Sequence, residues 1–277
     1  MPHHVPLSAA QIERFVVDGF VRIDDAFPRD LADSCRRILW LATGCRAEEP
    51  STWTRPVVRI GEIPHPLFRQ AANAPRLCAA FDALVGPGRW MPRGSLGTFP
   101  IRFPSPADPG DCGWHIDASF GTANESDFLK WRVNVVSKGR ALLMLFLFSD
   151  VGEDDAPTRL RVGSHIDIAR RLEPYGEEGV TIGELASTRF EESAHRPEAV
   201  ATGPAGTVYL CHPFLVHAAQ PLRASLPRFL AQPPLLPSVP LDPWRENASP
   251  VERAIQVALT CPTAPTFLVG EGLVGVQ

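Results

Sequence analysis

The chain has 277 residues, 44% of them hydrophobic and 21% charged, with a net charge of −4. That is enough apolar material for one sizeable core, and it excludes the basic footprint of a nucleic-acid-binding surface. The longest apolar run, 141-ALLMLFLF-148, is far short of the ~20 residues that span a bilayer, and no positive stretch followed by an apolar run marks a secretory signal at the N-terminus, so a cytoplasmic protein is expected.

Six cysteines without a Cys-x-x-Cys pair read as free, mostly buried thiols rather than a disulfide framework. In chain order, Ser8 and Gln11 form a capping box, Ile12, Phe15 and Val16 make an apolar stripe, and Gly19 ends the first helix. Residues 20–23 are extended. Pro28 opens a second helix with Leu31, Cys35, Ile38 and Leu39 on one face. A third helix is predicted over 72–86. From about 89 to 236 the chain reads as short strands, at 97–103, 141–151, 198–203, 207–212 and 226–236, with excursions at 119–139 and 166–197. The second excursion carries a helix over 166–176. A Pro-rich stretch, 233–244, leads to a last helix over about 249–260, opened by Ser249, Pro250 and Glu252. Strands do not alternate regularly with helices, which argues against a parallel sheet and for an antiparallel sandwich or barrel such as a jelly roll. The expected organisation is one α+β domain over 1–277: a helical part to 88, a core to about 236, and a C-terminal helix.

The tripeptide His-Ile-Asp occurs twice, at 115–117 and 165–167. In an extended segment residues i and i+2 face one side, so His115 and Asp117 aim an imidazole and a carboxylate at one point. That is two corners of the two-His, one-carboxylate triad that binds Fe(II) and leaves positions open. The plain alternative is a surface His and Asp on a loop. Asp167 stands where a helix begins and is explained as a first-turn anion. A third ligand has two candidates, His212 and His217. Farther on, period 2 puts Arg228, Leu230 and Gln232 on one face. An Arg inside a barrel needs an anionic partner, either a buried carboxylate or that of a bound co-substrate.

With these pieces assembled, the chain resembles the phytanoyl-CoA dioxygenase-like branch of the Fe(II)/2-oxoglutarate oxygenases. The resemblance rests on 7-LSAAQIERFVVDGFVRIDDAFP-28, on His115-Ile116-Asp117, on the Gly163-Ser164-His165 turn, on His217, and on Arg228 eleven residues beyond it. It covers most of the chain. It implies a double-stranded β-helix (jelly-roll, cupin-like) core flanked by N- and C-terminal helices. It also implies Fe(II) held by His115, Asp117 and His217, and 2-oxoglutarate chelating the metal with its distal carboxylate on Arg228. O2 would be the third reactant. Succinate and CO2 would leave as a small organic substrate is hydroxylated. Relatives that halogenate lack the carboxylate, so Asp117 favours hydroxylation, or a desaturation or epoxidation by the same oxidant, over halogenation. Two departures stand out: Ala219 replaces the Ser or Thr often found two residues after the distal His, and Thr207 replaces the Asp of a Gly-Asp turn. They leave room for a catalytically inactive binding module of the same fold.

Other candidates follow from position. Thr98 and Arg102 share a face of one strand; facing inward they join the co-substrate site, and facing outward Arg102 is simply solvated. Trp114, Phe120 and Trp131 lie near the His-x-Asp and would line a substrate pocket, or pack the core or a lid over 121–139. Cys211 and His212 are adjacent on a strand and point oppositely, which disfavours a nucleophilic pair. His3, His4, His65 and His195 have no partner pattern and are expected at the surface. A small-molecule substrate is expected, with neither nucleic acid nor membrane as partner; no residue pattern speaks to oligomeric state.

Overall fold

The computed structural model describes residues 7–121 and 124–260. Its helices are α1 (Ala9–Asp18), α2 (Arg29–Thr43), α3 (Pro66–Ala72), α4 (Pro75–Val85), α5 (Ser164–Leu172), α6 (Ile182–Ala186) and α7 (Pro250–Thr260). The strands are β1 (Phe20–Ile23), β2 (Val57–Ile60), β3 (Phe99–Arg102), β4 (Arg132–Val133), β5 (Leu142–Leu147), β6 (Arg159–Arg161), β7 (Val180–Thr181), β8 (Glu198–Val200), β9 (Val208–Cys211), β10 (His217–Ala218), β11 (Leu230–Ala231) and β12 (Pro234–Leu235). Among the described residues no helix is long and apolar enough to cross a membrane.

The layering follows from β5, LLMLFL, which is buried at every position. Successive side chains of a strand point to opposite faces. Leu142, Met144 and Phe146 therefore enter one apolar cluster with Phe15, Cys35 and Phe81 of the helices. Leu143, Leu145 and Leu147 enter another with Leu160 of β6 and Leu215. A sheet covered on both faces needs this unbroken apolar run. Strands β1, β9, β5 and β11 pair in that order, all antiparallel, and β12 also pairs with β5. A backbone bridge between Arg102 and Arg228 adds β3, and through it β2, at the β11 side. A smaller sheet has the order β10-β6-β8, and His115 bridges to His217 at its free edge.

Several boundaries differ from the sequence expectation, for local reasons. The third helix begins at Pro75, whose ring suits a first helical position and blocks continuation from upstream. Ahead of it α3 forms a short extra helix, capped by His65, whose Nδ1 accepts from the Leu67 N–H. His65 is thus a half-buried cap rather than a free surface residue, whereas His195 is exposed and His3 and His4 lie outside the described residues. The strand expected over 226–236 splits into β11 and β12, because Pro233 has no N–H to donate and the Gln232 N–H turns instead to the Thr98 carbonyl at 2.9 Å. Within the mostly helical first part, β1 falls on the expected extended segment 20–23, and β2 is a further strand there. The helix expected over 166–176 starts two residues earlier and ends at Leu172. Of the five described cysteines, all free, Cys35 and Cys211 are buried and the others half-buried; Cys261 lies outside the described residues.

The two excursions zip together. β4 pairs with β7, and the Arg132 guanidinium donates to the carbonyls of Glu178 and Gly179 at 2.7 Å each. Beneath them lies a third apolar cluster that includes Ile116, Val133, Leu172, Phe190 and Val216.

The C-terminal helix is fixed by one buried ion pair. Glu252 is 0% exposed and takes both terminal nitrogens of Arg89, at 2.8 and 2.6 Å. It also accepts from the Asp242 N–H, the Ser249 N–H and the Ser249 hydroxyl. Only half of the expected capping box is present, since Ser249 Oγ donates to Glu252 and not the reverse. Burial pushes this carboxyl up, but Arg89 and the surrounding N–H donors outweigh it and hold it at about 2. A carboxylate held below its unfolded value of 4.5 adds stability above pH 4.5 and loses it as the pH falls towards 2. Chemical denaturation of Glu252→Gln is expected to show a loss of about 3 kcal/mol at neutral pH, because Arg89 is left without its counter-charge. The acid arm between pH 4.5 and 2 should flatten in the same variant.

Candidate metal centre and its cavity

His115 and His217 face each other across an antiparallel backbone pair, each N–H donating to the other's carbonyl at 2.9 Å. Their rings lie 4.3 Å apart between centroids. Two residues along, Asp117 returns to the same side, and one ligand atom from each of the three lies within 4.8 Å of the others. The residues between and beside them face the other way: Ile116 and Val216 are fully buried in the third apolar cluster. Each such anchor contributes roughly 1.5–3 kcal/mol and fixes which face the ligands present.

The tautomers are fixed as well. His115 Nδ1 lies 2.9 Å from the Gly113 carbonyl and His217 Nδ1 lies 3.0 Å from that of Leu215. A carbonyl only accepts, so both Nδ1 atoms carry a proton, which leaves Nε2 as the nitrogen of each ring that is free to meet a metal. Burial, then the neighbouring His115, lowers the pKa of His217 and keeps it neutral. Burial raises the carboxyl of Asp117 and the Arg140 guanidinium lowers it, with a net downward shift that keeps the group ionised. Two imidazoles and one carboxylate, pre-oriented on a shared point, are the donor set a divalent transition metal requires.

Beside the triad opens a cavity of about 240 Å³. His115, Asp117 and Ala219 line it together with Thr98, Arg102 and Arg228. Arg102 and Arg228 are both buried, at 1% and 2% exposure. The Arg102 guanidinium gives Asp111 one nitrogen at 2.6 Å, while its Nε and Nη1 are buried without a partner. Arg228 donates to the carbonyls of Ala156 and Pro100, and its Nε is unpartnered. Burial, and Arg102 nearby, push Arg228 down to about 9, so it stays cationic at neutral pH. Asp111 itself is shared with Arg59 at 2.6 Å. Buried nitrogens lacking partners are costly unless a ligand supplies acceptors. Thr98 has φ +54, a left-handed conformation that costs a β-branched residue about 1–3 kcal/mol.

Thr98, Arg102 and Arg228 thus meet at one cavity with two of the three triad residues. The three aromatics do not line it. Trp114 carries the guanidinium carbons of Arg159 and Arg161 over its ring, at 4.6 and 4.2 Å. Phe120 bridges to Arg132, with Lys138 5.4 Å over its ring. Trp131 is 36% exposed and donates its indole N–H to the Glu125 carbonyl. The second His-Ile-Asp is structural. Asp167, in the first turn of α5, holds Arg196 at 2.8 Å, and His165 is buried against the Val16 carbonyl, its pKa pushed by burial down to about 4. His212 is buried beside His165, with Nε2 on the Val251 carbonyl. Burial pushes the thiol of Cys211 far up, which leaves it inert. Sequence reasoning missed Arg59, Asp111, Thr158 and Arg140. Gln232, which also lines the cavity, was signalled by its shared face with Arg228.

No protein-family profile matches the sequence, and no curated protein does. Solved structures are similar in fold. The non-haem alpha-ketoglutarate-dependent carbocyclase SnoK from nogalamycin biosynthesis superposes with a TM-score of 0.58 at 17% identity, covering 85% of this chain and 86% of that one. HygX from Streptomyces hygroscopicus, with nickel and 2-oxoglutarate bound, gives 0.54 at 18% identity, over 84% and 88%. EctD from S. alaskensis, with 2-oxoglutarate and 5-hydroxyectoine, gives 0.51 at 22% identity, over 85% and 77%. The chain therefore has the mixed helix-and-sheet fold of the non-haem iron and 2-oxoglutarate enzymes.

Proposed function

We propose that the protein is a non-haem Fe(II)/2-oxoglutarate-dependent oxygenase that hydroxylates a small organic substrate, its two sheets forming a double-stranded β-helix. One observation carries this reading: three metal-ligand atoms lie within 4.8 Å of one another, and two of their residues, His115 and Asp117, line a cavity together with two buried arginines that have unpartnered nitrogens. Neighbours of the same fold are crystallised with iron, or with nickel and 2-oxoglutarate.

His115, Asp117 and His217 would hold Fe(II) through Nε2, a carboxylate oxygen and Nε2. When bound, the metal with 2-oxoglutarate and O2 supplies the oxidising chemistry, releasing succinate and CO2. The chain's own residues bind and orient. The arginine pair takes the distal carboxylate, Arg102 with two free nitrogens and Arg228 with one. Arg228, already tied to two carbonyls, is a braced wall; Arg102 has more unused donor capacity. Thr98 and Gln232 close the cavity between them. Phe120 and Trp131, on the excursion that ends near Asp117, are assigned to the outer wall on the substrate side. Trp114 packs behind His115, under the Arg159 and Arg161 guanidiniums. A binding protein of the same fold is the second reading, favoured by Ala219, which offers no hydroxyl to the cavity.

Succinate release from 2-oxoglutarate with added Fe(II) tests the reading, with or without a substrate. Activity should fall to background in His115→Ala and His217→Ala. Metal and 2-oxoglutarate binding with no succinate under any condition would identify the binding protein instead. Separately, Arg102→Met is expected to weaken 2-oxoglutarate binding about 10–100-fold by calorimetry, the worth of one or two charge-assisted hydrogen bonds. Unchanged affinity in that variant removes Arg102 from the co-substrate site.

A further inference from the structure

The second oxygen of Asp117 has its own partner. Arg140 Nη1 donates to Asp117 Oδ2 at 2.8 Å, with the side chains 13% and 24% exposed. No other hydrogen-bonding partner of this guanidinium occurs among the described residues, and its Nε is buried and unpartnered. Asp117 Oδ1 receives no hydrogen bond from any described residue. The arginine is delivered by a tight turn. Ser137, at φ +43, accepts the Arg140 N–H at 3.1 Å and gives its hydroxyl to the Arg140 carbonyl at 2.6 Å. Ser119 Oγ lies 3.2 Å from Ser137 Oγ. A Cβ at Gly139 would stand 2.1 Å from the Ser119 carbonyl, so this turn is pressed against the segment carrying Asp117 as closely as only glycine permits. Ligand and arginine are therefore held to each other from both backbones.

We propose that Arg140 is a positioning residue: it occupies one oxygen of Asp117 so that the carboxylate meets the metal through the other alone. The inference rests on the triad being a metal site. A carboxylate free to rotate can offer both oxygens to one ion and would take up a coordination position that the co-substrates need. A charge-assisted bond to a planar guanidinium fixes the carboxylate plane and removes that option.

The test uses metal-free full-length protein titrated with Co(II) by calorimetry, and the visible absorption of the Co(II)-loaded protein. Arg140→Met should show an altered Co(II) band, as the freed carboxylate offers both oxygens, and its Co(II)-loaded form should bind 2-oxoglutarate about 10–100-fold more weakly by calorimetry, while Arg140→Lys recovers that affinity to within about threefold of wild type. In an Asp117→Asn background Arg140→Met should lose no further affinity, which a merely structural role would not give. Thermal melts of the metal-free proteins check folding; should Arg140→Met not fold, Arg140→Gln carries the same comparison. Wild-type affinity and an unchanged band in Arg140→Met overturn the proposal, as does an equal loss in the Asp117→Asn background. Wild-type protein that takes up no Co(II) overturns the metal reading of the triad itself.

Discussion

Two reciprocal backbone hydrogen bonds, between residues 115 and 217, are the constraint on which the site depends. They bring together parts of the chain that share no helix and no hairpin. An antiparallel pair puts its two side chains on one side of the sheet, so the imidazoles must meet. The period of an extended strand then returns Asp117 to them and sends Ile116 and Val216 into the apolar cluster behind. A slip of one residue would exchange ligands for anchors. Burial of the anchors therefore opposes any register in which the triad is broken.

Charge is distributed unevenly about the cavity. Arg59, Arg102 and Arg228 line it with Asp111 as the counter-ion of the first two, and Asp117 is engaged with Arg140. Most of the fold avoids such imbalance. Arg89 with Glu252, and Arg196 with Asp167, are paired through two nitrogens and two oxygens. At the cavity Arg102 and Arg228 keep spare donors, beside a backbone strained at Thr98. Stability is given up there and regained in β5 and around α7, the usual division between a binding site and its scaffold.

Much of this was legible in the sequence, and the limits are specific. The Ser8–Gln11 capping box and Gly19 marked α1 because caps act over three or four residues. The run 141–148 marked a central strand, and period 2 aligned His115 with Asp117. Neither local rule separated His212 from His217. That choice depends on the turn at 212–215, where the Leu215 N–H closes onto the His212 carbonyl and leads the chain to the other sheet. β2 was missed because four residues between Pro56 and Gly61 carry too little pattern. Asp111 and Arg140 were missed because their partners, Arg102 and Arg59 for the first and Asp117 for the second, lie 9, 52 and 23 positions away, distances that no helical or strand period marks. Glu252 was read as half of a local cap, whereas its main partner is 163 residues distant.

The way each imidazole is aimed has one further consequence. Both rings are tethered through Nδ1 to a carbonyl two positions back on their own chain, Gly113 for one and Leu215 for the other. Aim is thus encoded within two three-residue spans and owes nothing to any distant hydroxyl or carboxylate. The strand pairing that lays those spans side by side therefore sets the bearing of both rings at once, and only the carboxylate of the trio takes its bearing from a residue farther along the chain.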